Sequence, residues 1–236
     1  MPEILLLNPN STEAVTDGIR DAVSAFHDPD GRTGVNIVCE TIPAGPPGIE
    51  TQAHVDAASG HIRDHLVART HAPDALVIAC FSDPGLTAVQ EETALPAYGI
   101  AQCGLLQAAA SGGPTGIIAI RQASVARHFR YARALGMADL IADDLPLDLG
   151  VVELGDRDRV YSRMRAVGAQ LRDRCGARSL VLGCAGMAQY RADLQAELGV
   201  PVIDPCQAAT GMAITGLITG STPGNTLKKH SAEEIK

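Results

Sequence analysis

Short apolar runs alternate along the chain with longer stretches in which apolar residues recur every three or four positions. Runs of four to eight apolar residues are typical of buried strands, and the longer spacing is typical of helices with one buried face. This alternation predicts parallel sheets covered by helices. The predicted strands are ILLLN from Ile4, VNIVCETI from Val35, ALVIAC from Ala75, AYGIA from Ala97, TGIIAI from Thr115, ADLIADD from Ala138, SLVLGC from Ser179 and PVID from Pro201.

Two of the predicted helices have regular apolar faces, which we interpret as core packing. The first, behind Ser11 or Thr12 as its N-cap, has the face Val15, Ile19, Val23 and Phe26. The other has the face Val160, Met164, Val167 and Leu171. The final stretch, STPGNTLKKHSAEEIK from Ser221, is polar with no apolar period and is predicted to be a frayed tail.

The last four predicted strands repeat the first four at a nearly constant offset. Cys80 and Cys184 follow matching runs 104 residues apart, and Pro96 matches Pro201. The repetition predicts an α/β protein of two similar halves, each a mainly four-stranded parallel sheet with flanking helices, related by a pseudo-two-fold axis. We expect one domain to comprise residues 1–98 plus 207–236, with the last helix crossing back, and the other to comprise residues 99–206.

Composition narrows the possible partners. The 236 residues carry a formal net charge of −8 with only 19 Lys and Arg, which argues against nucleic acid or an anionic membrane as partner. No apolar stretch has the length of a membrane span, and the N-terminus does not resemble a signal peptide, so a cytoplasmic location is expected. His61 and His65 lie four apart without a third ligand, and no metal site is predicted.

The two matched cysteines suggest the chemistry. Ligands of open parallel sheets bind at the carboxyl ends of the strands, and Cys80 and Cys184 each stand at the end of a predicted strand. Two halves that face each other would aim both thiols at one ligand from opposite sides. A thiolate could then remove a proton from one face of a carbon while the other thiol returns a proton to the opposite face. Cysteine fits this task because its ordinary pKa is roughly 8.5 and a helix N-terminus lowers it.

Four segments, LLNPNST, CFSDPGL, LVLGCAGM and GVPVID, resemble the hydantoin and allantoin racemase branch of the aspartate/glutamate racemase superfamily, in the expected order over nearly the whole chain. The resemblance implies two Rossmann-like domains, racemisation by two cysteine bases without a cofactor, a small-molecule substrate and a homo-oligomer. Carried over by position, it makes Cys80 and Cys184 the catalytic pair. It places the substrate against Asn10, Phe81, Ser82, Gly183, Ala185 and Gly186.

The same resemblance argues against an amino-acid substrate. Glutamate-type racemases carry an acidic residue in the first turn and a histidine two residues after the second cysteine, where this chain has Asn8, Asn10 and Gly186. A neutral cyclic ureide fits these neutral surroundings better. After the fifth strand the branch often shows two threonines, where this chain has Ala119, Ile120 and Arg121, a difference that could alter the substituent accepted at the ring carbon.

Several alternatives remain open from the sequence. The leading hypothesis is a racemase of 5-monosubstituted hydantoins, and the others are an allantoin racemase, a maleate-type isomerase, an arylmalonate-type decarboxylase and a metabolite-binding regulator without turnover. Asp83, Glu153 and Asp204 could either tune a thiol or cap helices. The other four cysteines, Cys39, Cys103, Cys175 and Cys206, are interpreted as structural.

Overall fold

The computed structural model describes residues 1–26 and 34–223, so the predicted tail lies outside the described residues from Gly224 onward. The strands are β1 (Glu3–Asn8), β2 (Asn36–Thr41), β3 (Ala75–Ile78), β4 (Ala97–Gly99), β5 (Thr115–Ala119), β6 (Ile141–Pro146), β7 (Ser179–Leu182) and β8 (Val202–Ile203). The α-helices are α1 (Glu13–Val23), α2 (Gln52–Ala68), α3 (Leu86–Glu92), α4 (Ile100–Ser111), α5 (Gln122–Ala134), α6 (Arg157–Asp173), α7 (Arg191–Leu198) and α8 (Pro205–Thr219).

The eight strands form two parallel sheets of the same topology. Their orders are β2-β1-β3-β4 and β6-β5-β7-β8, so each strand of the second sheet occupies the place of the strand four earlier. The central pairs correspond in register, with Leu6 beside Val77 and Ile117 beside Val181. Both faces of the central strands are buried, as parallel sheets require. The predicted fold class of two similar α/β halves is confirmed.

Several local predictions need correction. The sixth strand begins at Ile141 rather than Ala138, because residues 138–140 form a 3₁₀ turn. β3 and β7 end two residues before Cys80 and Cys184, which therefore lie in loops. Thr12 is the N-cap residue of α1, but its hydroxyl donates to the carbonyl of Pro47 instead of capping the helix.

The two apolar helix faces are buried largely as predicted. In α1, Val15, Ile19 and Val23 lie in the core, while Phe26 belongs to a following 3₁₀ turn and is partly exposed. All four predicted positions of α6 are buried. Within the described ranges, no helix combines the length and the apolar character needed to cross a membrane.

Two helices connect the halves, because each follows a strand of one sheet and packs against the other sheet. α4 follows β4 of the first sheet and packs on β7 and β8 of the second, whereas α8 follows β8 and packs on β1, β3 and β4 of the first. The two helices also pack against each other, and a Cβ on Gly104 of α4 would come within 3.1 Å of Pro205 of α8. This arrangement makes the two sheets share one apolar core. The domain boundaries at residues 98 and 206 stay a prediction.

Each exchanged helix has a carboxylate at its N-terminus, but the two carboxylates come from different places. Asp204 is the N-cap of α8 and accepts from the backbone N–H of Gln207 at 2.7 Å. Asp83, from the loop after β3, accepts from the N–H groups of Ala101 and Gln102 in the first turn of α4, both at 2.9 Å. Its carboxyl group fills the space over Gly99, where a Cβ would lie 2.1 Å from the Asp83 Cγ.

We predict that Gly99→Ala lowers the free energy of unfolding by about 1–3 kcal/mol, because the new methyl group would displace the Asp83 carboxylate from α4. Urea unfolding followed by circular dichroism measures the change. The control is Gly60→Ala in α2, where the new Cβ would meet no atom within 4 Å beyond its own helix backbone, and a gain of about 0.5–1 kcal/mol is expected. In an Asp83→Ala background the Gly99→Ala penalty should shrink. An unchanged penalty there would mean that the clash lies elsewhere.

Candidate active site

Cys80 and Cys184 line one cavity between the two sheets. Cys80 lies in the loop from β3 to α3, and Cys184 lies in the loop after β7, directly before a 3₁₀ turn over residues 185–190. Both thiols are partly buried, and the cavity between the halves has a volume of about 30 Å³. This volume accommodates about one or two water molecules, so lining side chains must move for a substituted ring to enter.

Five of the six residues that the resemblance assigned to the substrate line this cavity with the cysteines. They are Asn10, Phe81, Ser82, Gly183 and Ala185. Gly186 instead lines an adjoining depression that shares Val15 and Val151 with the cavity, and a Cβ on Gly186 would lie 3.8 Å from the Cys184 sulfur. The role of Gly186 in substrate contact stays a prediction.

Gly183 has a packing reason for being glycine. A Cβ at this position would approach the carbonyl oxygen of Ile118 to 2.6 Å, because the end of β7 runs close against β5 there. Its backbone N–H donates to the same carbonyl at 2.9 Å. The glycine therefore lets the chain leave the sheet next to Cys184 without a clash.

Burial has the largest effect on the pKa of both thiols. Desolvation raises the pKa of Cys184 to about 11 and raises the pKa of Cys80 further. In each case the backbone N–H two residues later, of Gly186 or Ser82, partly offsets the rise by a hydrogen bond to the sulfur. The backbone donors thus lower the pKa of each thiol as expected, but loss of hydration outweighs them and the pKa rises overall.

Different neighbouring charges act on the pKa of each cysteine. The pKa of Cys80 is raised additionally by charge on Cys184 and on Asp83, and it is lowered by the Arg127 guanidinium. The pKa of Cys184 is raised by the charges of Glu50 and Asp204. The two thiols are thus close enough for the ionisation of one to oppose the ionisation of the other. The pair therefore carries one thiolate at most.

The three acidic residues considered from the sequence bind backbone N–H groups rather than the thiols. Asp83 and Asp204 accept hydrogen bonds from backbone N–H groups at the N-termini of α4 and α8. Burial raises the pKa of each carboxyl group to about 6. Glu153 accepts from the N–H of Gly150 at 2.7 Å. Asp83 and Asp204 still act on the thiols electrostatically, since their negative charges oppose thiolate formation.

One face of α5 completes the cavity and was not found from the sequence. Ser124, Arg127 and His128 line it, and the His128 Nδ1 lies 2.7 Å from the buried carboxylate of Asp144. The signal available in the sequence was a polar set with helical spacing, Ser124, Arg127, His128 and Tyr131, on a helix that begins at the carboxyl end of a strand. Such a set is equally typical of a solvated helix face.

Ile120 and Arg121 have different places. Ile120 lines the cavity, whereas the Arg121 Nε lies 2.6 Å from a carboxylate oxygen of Glu50, across the junction of the two halves. Glu50 also accepts from the backbone N–H of Val151 at 2.9 Å. Arg121 thus holds the loop after β2 in place, and that loop brings Ile49 to the cavity.

The remaining candidates lie outside the cavity. Cys103 and Cys206 are buried in α4 and α8, Cys39 is on β2, and Cys175 contacts Asp143. His65 pairs with Glu40 at 2.7 Å. Residues 1–26 and 34–223 contain no group of three or more His, Cys, Asp or Glu side chains arranged to hold a metal ion.

Comparison with known proteins yields one family. The model of the Asp/Glu/hydantoin racemase family matches residues 4–213. The chain is 34% identical over 214 residues to a hydantoin racemase of Paenarthrobacter aurescens, covering 89% of each chain, and 30% identical over 217 residues to one of Pseudomonas sp. strain NS671, covering 90% of this chain and 85% of that one. An allantoin racemase from Klebsiella pneumoniae is similar in structure, with a TM-score of 0.89, 28% identity, and coverage of 96% of this chain and 91% of that chain.

We predict that iodoacetamide alkylates Cys184 slowly at pH 7 and about tenfold faster per pH unit up to roughly pH 10, because only the thiolate reacts and burial raises the pKa of this thiol to about 11. Cys80 should react more slowly at every pH. Peptide mass spectrometry after timed labelling gives both rates, with the buried Cys103 and Cys206 as internal controls that stay unlabelled while the protein is folded. A rate that levels off below pH 8 would contradict the assigned direction.

Proposed function

We propose, from the premise that the chain belongs to the Asp/Glu/hydantoin racemase family and is a racemase, that it inverts the C5 stereocentre of 5-monosubstituted hydantoins with Cys80 and Cys184 as its two acid/base groups. One observation carries the proposal. The matched cysteines of two similar sheets line one cavity from opposite halves of the fold. A planar intermediate held between them would be open to protonation from either face.

The reaction requires one thiolate and one thiol. The thiolate takes the C5 proton, and the electron pair of the C–H bond delocalises onto the neighbouring ring carbonyl as an enolate. The other thiol then gives its proton to the opposite face of C5. One S–H bond has formed and one has broken, so the enantiomer is complete and the two cysteines have exchanged protonation states. The reverse reaction starts from that state, and no cofactor enters the balance.

The charges around the cavity suit a neutral ring that becomes an anion. No carboxylate is among the described residues that line the cavity, since Asp83 and Asp204 are directed to helix N-termini. Arg127, which lines it, supplies a positive charge near Cys80. A developing enolate would therefore meet the positive charge of Arg127 at the cavity wall, while the carboxylates that oppose thiolate formation lie outside the lining.

A second candidate substrate is allantoin, which is favoured by the close structural match to an allantoin racemase. The greater sequence identity to hydantoin racemases favours hydantoins. The maleate-type isomerase, the arylmalonate-type decarboxylase and the regulator without turnover remain hypotheses that the same assay tests. A cytoplasmic location and a homo-oligomeric assembly also stay predictions.

We predict that the purified protein alone removes the optical rotation of L- and of D-5-benzylhydantoin, and that Cys80→Ser and Cys184→Ser each slow this by about 10²–10⁴-fold, because each variant lacks one acid/base group. In deuterated water each variant should still exchange the C5 proton of one enantiomer, followed by nuclear magnetic resonance. S-allantoin, assayed in parallel, ranks the two rings.

Cys175→Ser is the matched control, because Cys175 lies away from the cavity beside Asp143. It should racemise at the rate of the unchanged protein. Exchange of both enantiomers by a single active-site variant would contradict the two-base mechanism. Rotation that stays constant for every ring, beyond the decay without protein, would overturn the racemase proposal and favour the decarboxylase, isomerase or regulator.

A further inference from the structure

A second, larger space adjoins the cavity on its α5 side. This outer cleft has a volume of about 270 Å³ and is also lined by Gln52, Val55 and Tyr131. The cleft and the cavity share four wall residues, Phe81, Ser82, Arg127 and His128. The Phe81 and His128 rings meet edge to face at 5.0 Å. This wall offers a route by which the substituent of a ring held between the two thiols could reach the outer cleft.

The outer cleft is positively charged. Arg127 and Arg130 line it, and none of its lining side chains in the described structure is a carboxylate. Three carboxylates contact lining side chains, and each already has a partner. Asp56 accepts from Gln52 at 2.8 Å. Asp83 accepts from the Tyr131 hydroxyl at 2.8 Å and from the N-terminus of α4, and Asp144 lies 2.7 Å from His128. The cleft thus presents cations to a ligand while the nearest anions are already bound.

Arg127 is the unusual member of this set. Only 8% of its surface is exposed. Its terminal nitrogens donate to the backbone carbonyls of Glu50 and Ala123 and to the Ser124 hydroxyl at 3.1–3.3 Å, and none of these oxygens is charged. The Nε of Arg127 is buried without a hydrogen-bond partner. Buried guanidinium groups are ordinarily paired with an anion, because an unpaired buried charge is unfavourable. Here the described residues provide no ion pair for Arg127.

We infer that the outer cleft binds an anionic group at the end of the substrate's C5 substituent, with Arg127 and Arg130 as the residues that recognise it. The substrate class is then a hydantoin whose side chain ends in a carboxylate. This inference rests on the proposed function, since it places the ring between Cys80 and Cys184. It deepens that proposal, because the C5 substituent of 5-benzylhydantoin would offer no anion to Arg127 or Arg130 in the outer cleft.

The test compares two substrates of nearly equal shape, 5-(2-carboxyethyl)hydantoin and its neutral carboxamide, 5-(2-carbamoylethyl)hydantoin. We expect kcat/KM for the carboxylate to be at least about tenfold higher at low salt, the effect of one charge-assisted hydrogen bond. The preference should fall as salt is added, because the cleft is open to solvent at Arg130.

Three variants locate the effect. Arg130→Gln, which changes only the cleft, and Arg127→Lys, which keeps the charge but loses the forked donors, should each reduce the ratio of the two kcat/KM values severalfold. Arg133→Gln is the control, because Arg133 is exposed on the same helix outside the cleft and its removal changes the net charge equally. It should leave the ratio unchanged.

The outcomes separate the two proposals. If neither compound is racemised, nor 5-benzylhydantoin, the proposed function fails. If the carboxamide is racemised as well as the carboxylate, or better, the anion site is overturned while the racemase stands. Equal losses for both substrates in Arg127→Lys, with no change of ratio in Arg130→Gln, would also overturn it and would assign Arg127 to the thiolate or the ring.

Discussion

The need to cover parallel strands on both faces determines the arrangement of this protein. Each half ends in a short edge strand, and the helix after that strand leaves to cover the other half, so α4 and α8 cross and pack together. The crossing brings the carboxyl ends of both sheets to one junction. Cys80 and Cys184, two residues beyond β3 and β7, consequently face a common cavity. The juxtaposition of the thiols is thus a result of helix exchange.

That junction has an electrostatic cost. It shields both thiols from much of the water and so raises both pKa values, and the carboxylates that stabilise the crossing helices raise them further. The structure offsets this only in part, by one backbone N–H for each sulfur and by Arg127 near Cys80. A site of this kind ionises one thiol at most. The two-base mechanism needs only one thiolate at a time, because the two cysteines exchange protonation states in each turnover.

The fold was predictable because its signals are local and occur twice. The strand runs and the two cysteines recur at a nearly constant offset, so each half supports the interpretation of the other. The α5 face was not predictable in the same way. Whether Arg127 and His128 meet solvent or a cavity depends on how α5 packs against the first half, which no local pattern contains. Likewise Asp83 reaches α4 only because β4 places Gly99 beneath it, and Arg121 turns away to Glu50.

Arg127 lines both the cavity and the outer cleft, so it links substrate specificity to the reactivity of Cys80. Its charge lowers the pKa of Cys80, and burial lowers the pKa of the guanidinium itself, with charge on Cys80 acting in the opposite direction. A carboxylate bound to Arg127 would neutralise the charge that helps Cys80 to ionise. Cys80 would then hold its proton more strongly in the complex, whereas Cys184, whose pKa responds to Glu50 and Asp204 instead, would keep its acidity. An anionic substituent would therefore favour the protonation state with Cys184 as thiolate and Cys80 as thiol, which is the state that reacts with the enantiomer whose C5 proton faces Cys184.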